Sequence, residues 1–216
     1  MLNGGNMKKT FSAFLFLVLA GLVILPAYSL VAEDLEKAFA DSYTAESEGR
    51  IDDAYNIIDS AIGAERTVYA GVMRLAYLKS LAGKYSLAAE LYNRAAELEP
   101  NAVEPLLYLQ YQYILLGDWQ GLEQSANKAL KNDSNNYLSM TRLAYSYYQR
   151  GQYGRAREAY LKVQQLYPLD LDAMVMVGWS NALSNHKSEA KRNFRKVLML
   201  APQNESAKEG LAFATR

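Results

Sequence analysis

Residues 137–170 read YLSMTRLAYSYYQRGQYGRAREAYLKVQQLYPLD. Two helical periods fit this stretch, one before Gly151 carrying Leu143 and Ala144, and one after it carrying Ala156, Tyr160 and Val163. Gly151 is suited to the left-handed residue that ends the first helix, and Pro168 cannot continue the second. Steps of 34 residues outward find the same punctuation at Gly117, Gly83 and Gly49, and at Asn185, the residue that best imitates glycine in a left-handed turn. With that residue set as position 15, units begin at Leu35, Tyr69, Val103, Tyr137 and Leu171, with a partial unit from Glu205.

Other columns fall into the same phase. Position 20 is Ala54, Ala88, Leu122, Ala156 and Ala190. Position 24 is Ile58, Tyr92, Ala126, Tyr160 and Phe194, and position 27 is Ala61, Ala95, Ala129, Val163 and Val197. Small, large, small is a packing code for two crossing helices. Position 7 is Leu75, Leu109, Leu143 and Val177 in units two to five, and position 32 is Pro100, Pro168 and Pro202 in three of them. This pattern resembles the tetratricopeptide repeat, a 34-residue helix-turn-helix. The resemblance implies an all-α, right-handed α-solenoid of five repeats, at 35–68, 69–102, 103–136, 137–170 and 171–204, with a capping helix at 205–216. In that cap Leu211 and Ala212 are expected inward, and Lys208, Glu209 and Arg216 outward. The first repeat departs from the pattern with Asp41 and Ser42 at positions 7 and 8, so its helix A is expected to pack loosely. Pro105 is tolerated in the first turn of a helix, where amides lack partners.

Outside the repeats, residues 1–32 carry only Lys8 and Lys9 as charges, followed by an apolar run from Phe11 to Leu25 and then Pro26. That is the layout of a signal peptide, with Ala27-Tyr28-Ser29 matching the small-x-small cleavage rule. Export to the periplasm or the medium is expected. The alternative is an uncleaved inner-membrane anchor, since Phe11–Ala32 is long enough to span a bilayer.

The chain has 23 basic and 23 acidic residues, 50% hydrophobic content, one histidine and no cysteine. Such composition is that of an ordered protein. It excludes a disulfide framework, a cysteine zinc site and lipidation at a signal junction. Without 1–32 the balance is 21 basic against 23 acidic, near −2. Net charge therefore steers no partner, and nucleic acid is not expected.

On helix A, positions 2, 5, 9, 12 and 13 lie opposite the packing positions 4, 7, 8 and 11. In the family this second set lines the concave groove where ligands bind. Here position 9 is Tyr43, Tyr77, Tyr111, Tyr145, Trp179 and, in the cap, Phe213. Position 5 adds Phe39, Met73, Leu107 and Val175, with Thr141 the one polar residue, so the strip is apolar with aromatic ridges. The column either packs against itself or offers ring faces to a ligand. A protein or peptide segment inserting side chains between the rings is the first expectation, a polysaccharide stacking its sugar faces the alternative, and self-association through the strip stays open. Arg74 and Arg142, at position 6, are the nearest cations. They either hold one anionic group or lie solvated on a helix flank. The family's carboxylate clamp needs lysine at position 5 and asparagine at position 9, and neither is present.

Nothing in the sequence assembles a catalytic centre. His186 sits alone in a turn, and no repeat glycine precedes Lys-Ser or Lys-Thr as in a phosphate loop. The pairs Glu33-Asp34 and Asp52-Asp53 read as solvated helix ends. The expected protein is a non-catalytic scaffold of the bacterial cell envelope, without metal or cofactor.

Overall fold

A computed structural model describes residues 33–216. The signal segment, or anchor, expected at 1–32 lies outside the described residues. These fold into α-helices joined by short turns, with no strand among them. The helices are α1 (33–47), α2 (Ile51–Ile62), α3 (Tyr69–Leu81), α4 (Tyr85–Leu98), α5 (Glu104–Leu116) and α6 (Trp119–Asn132). They continue with α7 (Tyr137–Gln149), α8 (Tyr153–Leu166), α9 (Leu171–Leu183), α10 (Lys187–Leu200) and α11 (Glu205–Thr215). Odd-numbered members are the A helices and even-numbered members the B helices. None of them is long and apolar enough to cross a membrane.

Every odd helix from α1 to α9 ends on the same device. Gly49, Gly83, Gly117, Gly151 and Asn185 all have φ between 65° and 78°. At the third of these, Gly117 N–H donates to Ile114 O and Asp118 N–H to Tyr113 O, at 3.1 and 2.9 Å, closing the orphan carbonyls in a Schellman motif. Asn185 does the same with Ala182, and His186 N–H donates to Asn181 O at 2.8 Å. At the other end, the carboxylate or amide at the close of a repeat caps the next A helix. Asn136, Asp170 and Asn204 accept from Ser139, Ala173 and Ala207 N–H. Pro100, Pro168 and Pro202 each lie just past the end of a B helix, and Pro105 occupies the first turn of α5.

The described residues divide into two packed units, the first ending at Leu78 and the second running Lys79–Arg216, with the boundary inside α3. In the first unit, Ala45, Ala54 and Leu78 form the core, with Ile51, Tyr55 and Ile57 partly buried against it. Helix A of this repeat is not loosely packed. Ser42 is wholly buried, donating to Ala54 O at 2.9 Å and accepting from Arg74 Nε at 3.2 Å, while Asp41 points to solvent. Ala61 is exposed, contrary to the column-27 expectation, and Ile62 is buried in its place. The buried face of α2 runs Ala54, Ile58, Ile62 at four-residue steps, which turns Ala61 outward, and the helix is 12 residues against 14 in the later B helices, with Gly63, at φ 68°, just past its end.

In the second unit each helix packs on the next, and α9 meets both α10 and α11. Columns 20, 24 and 27 are buried as the small-large-small code requires. One cluster joins Ala144, Tyr160 and Val163 of the fourth repeat to Ala173 and Val177 of the fifth, so position 7 faces the preceding repeat. At the end of the series the Phe194 ring fills the space of two missing side chains. A Cβ on Gly178 would lie 2.6 Å from its Cε1, and one on Gly210 2.2 Å from its Cζ. In α11 the buried residues are Ala207, Gly210 and Ala214. Leu211 is half-buried, but Ala212 is exposed and not inward, because the face of α11 turned to its neighbours is the one carrying Ala207, Gly210 and Ala214. Lys208 is half-buried as well, while Glu209 and Arg216 are exposed.

Candidate functional site

The first unit holds Phe39, Tyr43, Met73, Arg74 and Tyr77. Tyr43 and Tyr77 are 57% and 43% exposed, on A helices one repeat apart. Arg74 is not solvated: it is 5% exposed, its Cζ stands 3.9 Å from the Tyr43 ring centroid and 5.6 Å from that of Tyr77, and it pairs with Glu46. The other Glu46 oxygen accepts from Tyr77 OH at 3.0 Å. That bond and burial raise the Tyr77 phenol above its ordinary range. Arg74 is thus spent on ring stacking and an internal carboxylate, which removes it as an anion receptor. Phe39 and Met73 are half-buried beside this group on the same helices.

The second unit holds Leu107, Tyr111, Arg142, Tyr145, Trp179 and Phe213. Here the column divides between packing and exposure. Trp179 packs on Phe194 and Phe213, with centroids 5.4 and 5.8 Å away, and donates from Nε1 to Ser206 Oγ at 2.9 Å. Tyr145 stands edge-on to Trp119 at 5.6 Å. Tyr111 makes no ring contact and is 48% exposed, and Phe213 keeps its far side free at 42%.

Arg142 is also more than a flank residue. It is half-buried and donates from Nη1 to Leu107 O at 2.8 Å and to Gln110 Oε1 at 3.4 Å. Gln110 in turn is wholly buried and donates to Ser139 Oγ at 3.1 Å. Burial lowers the guanidinium below its ordinary value, with Tyr111 acting in the opposite sense. No carboxylate pairs with it among the described residues. Arg142 is thus a half-buried cation beside the half-exposed Tyr111 ring, hydrogen-bonded through Nη1 to uncharged oxygens.

The sequence reading missed a second apolar surface. A cavity of about 730 Å³ is lined by Tyr137, Leu166, Tyr167, Pro168, Leu169 and Asp170, with Leu169 73% exposed. Tyr137 and Tyr167 meet edge-on at 5.0 Å. Its signal was the apolar Leu166-Tyr167-Pro168-Leu169 run in a turn, where Asn132-Asp133-Ser134-Asn135 stands one repeat earlier. Among the described residues no group of three or more histidines, aspartates or glutamates stands close enough to hold a metal ion.

Comparison with known proteins agrees with this architecture. The family model for the tetratricopeptide repeat matches residues 138–170. No curated protein sequence matches the chain. Among solved structures, the crystal structure of MamA protein superposes with a TM-score of 0.70 at 18% identity, covering 78% of this chain and 92% of that one. A tetratricopeptide repeat protein from Parabacteroides merdae gives 0.73 at 18% identity, over 84% and 72% of the two chains. YrrB, described as a TPR protein with an unusual peptide-binding site, gives 0.70 at 14% identity, over 86% and 95%.

Proposed function

We propose that this chain, with its tetratricopeptide-repeat fold, is an exported, non-catalytic envelope scaffold that holds a protein segment along its A helices. The segment is an extended peptide or helix presenting apolar side chains to Tyr111 and Phe213 and one carboxylate to Arg142. The observation that carries this reading is Arg142 itself: a half-buried guanidinium with no carboxylate partner among the described residues, next to the half-exposed Tyr111 ring, which pairs with no other aromatic ring. Proteins pair or neutralise buried charge, so an unpaired one favours an external anion. The peptide-binding site reported for YrrB supports a peptide rather than a small ligand. Export to the periplasm, or retention at the inner membrane by residues 11–32, follows from the N-terminal segment.

The test is selection from a displayed random-peptide library. Wild type is expected to enrich peptides with an acidic residue or free C-terminus beside apolar positions. Arg142→Gln is expected to lose the acidic preference and Tyr111→Ser the apolar one, each with helix content unchanged. Enrichment of the same peptides by all three proteins sinks the reading, and retention of glycans in place of peptides supports the polysaccharide alternative.

A further inference from the structure

Two residues lining the cavity between the fourth and fifth repeats depart from every other unit. Where Tyr167 stands, at repeat position 31, the other units have Glu65, Glu99, Asp133 and Ala201, and where Leu169 stands they have Thr67, Asn101, Asn135 and Gln203. A ring and a leucine thus replace small or polar residues in a turn that the fold closes without them. Leu169 is 73% exposed and Tyr167 40%, so neither serves the core. Large apolar groups gathered at one concavity mark a binding surface, and about 730 Å³ is the volume of a small-molecule pocket. None of the lining residues belongs to repeat positions 5, 6 or 9, which carry the proposed peptide contacts.

The lining has a distinct geometry and a distinct charge. Tyr137 and Tyr167 stand at 80° to one another with centroids 5.0 Å apart, so the rings make a corner and not a flat platform. Leu166, Pro168 and Leu169 complete it with hydrocarbon, and its one charged member is Asp170. A second carboxylate, Asp172, is exposed in the first turn of α9. Its charge reaches the corner: after the hydrogen bond to Asp170 and burial, the charges of Asp170 and Asp172 add to what raises the Tyr137 phenol to about 12. Neither carboxylate pairs with a cation among the described residues.

These features select among ligands. An anion is repelled by both carboxylates. A sugar asks for a flat ring face with donors and acceptors around it, whereas here the Tyr137 hydroxyl is already spent on Asp170. A primary ammonium holds its water through three donors, and the Asp170 oxygens that could replace that water already accept from Tyr137 and from Ala173 N–H. A quaternary ammonium has no N–H to satisfy. Its methyl groups suit leucine and proline, and its charge is drawn both to aromatic rings and to carboxylates.

From this geometry we propose that the cavity binds a free small molecule bearing a trimethylammonium group. Tyr137 and Tyr167 form the aromatic corner that receives it, Leu166, Pro168 and Leu169 supply the apolar contact, and Asp170 and Asp172 are the counter-charge. The site is independent of the peptide contact at Tyr111 and Arg142, and neither needs the other to be occupied.

The test titrates choline into the full chain in a mild non-ionic detergent and follows the N-methyl proton resonance, which ring currents shift when methyl groups meet aromatic rings. Saturable binding is expected with a Kd on the order of 1 mM, since so small a ligand has little surface to bury. Dimethylbutanol, the uncharged isostere, and ethanolamine, the primary ammonium, are each expected to bind about tenfold more weakly or worse. Tyr167→Leu, which keeps the apolar volume and removes a ring, is expected to weaken choline about tenfold, and so is Asp170→Asn with Asp172→Asn. The helix cap survives that change, because asparagine caps α7 and α11 from the same repeat position, at Asn136 and Asn204. Tyr111→Ser is expected to leave choline binding as it was, which separates this site from the peptide groove. Circular dichroism verifies the fold of each variant, and the comparison of choline with dimethylbutanol uses the unaltered chain, so it decides even where a variant unfolds. Equal binding of choline and its uncharged isostere, no saturable binding, or binding untouched by both the ring and the carboxylate changes overturns the inference. So does loss of choline binding in Tyr111→Ser, or attachment to phosphatidylcholine vesicles by a chain that ignores free choline.

Discussion

Tyr137 OH donates a 2.7 Å hydrogen bond to Asp170 Oδ2, while Asp170 Oδ1 accepts from Ala173 N–H at 2.8 Å and caps α9. One carboxylate thus ties the start of α7 to the start of α9, across a whole repeat. The bond to the carboxylate is the main reason the Tyr137 phenol is raised from 10.0 to about 12, with burial second. The folded state holds this proton more tightly than the unfolded chain does. Its contribution to stability is therefore complete below pH 10 and is lost as pH rises through about 12. Wild type is expected to lose urea resistance over that window more steeply than Tyr137→Phe. Equal slopes for the two proteins would show that the bond does not set the titration. Asp170→Ala, which removes the cap as well, is expected to cost about 1–2 kcal/mol at neutral pH.

Phe194 makes the packing at the end of the series sensitive to one methyl group. Gly178→Ala places a carbon 2.6 Å from the ring, which is expected to destabilise by about 1–3 kcal/mol despite the better helix propensity of alanine. Gly154, near the start of α8, is the control, since nothing lies within 4 Å of an added Cβ. There the same substitution is expected to raise stability by a few tenths to about 1 kcal/mol. Thermal melts of the two variants with opposite signs verify the account, and two melts shifted the same way refute it.

Arg74 and Glu46 form the buried pair of the first unit, with side chains 4% and 21% exposed. Removing only the acid leaves the guanidinium buried between rings. Glu46→Ala is expected to cost about 3 kcal/mol and Arg74→Met with Glu46→Gln much less, because the second change removes the charge along with its partner. Chemical denaturation of the single and double variants gives the comparison. Equal losses would mean that the stacking on Tyr43, not the ion pair, dominates.

Much of the fold was legible because the repeat is written in residues with one physical use. Glycine at position 15 matches a positive φ, and alanine at position 20 is buried wherever it occurs. Gly63 was legible too as a stop signal, but a strict 34-residue template overrides it and places Ala61 inward, where a shorter helix buries Ile62. The candidate site was readable only as a column. That Trp179 packs on other rings while Tyr111 meets none depends on neighbours such as Ser206 and Phe194, which no periodicity singles out. Arg74 and Arg142 occupy the same repeat position, yet one meets Glu46 and the other a backbone carbonyl and an amide oxygen. Identical phase does not distinguish a neutralised cation from an unneutralised one. That depends on whether a carboxylate stands on the adjoining helix.

The ring between Gly178 and Gly210 also bears on how freely the repeats can be rearranged. Position 8 is Ala76, Gln110, Ala144 and Gly178 in repeats two to five, and position 24 is Tyr92, Ala126, Tyr160 and Phe194. The bulkiest residue of the first column shares its repeat with the smallest of the second, and the barest shares its own with phenylalanine. Volume is traded inside each hairpin, so the hairpins are keyed parts. A recombinant array that joined helix A of the third repeat to helix B of the fifth would set Gln110 against Phe194, and would have to yield in one helix or the other.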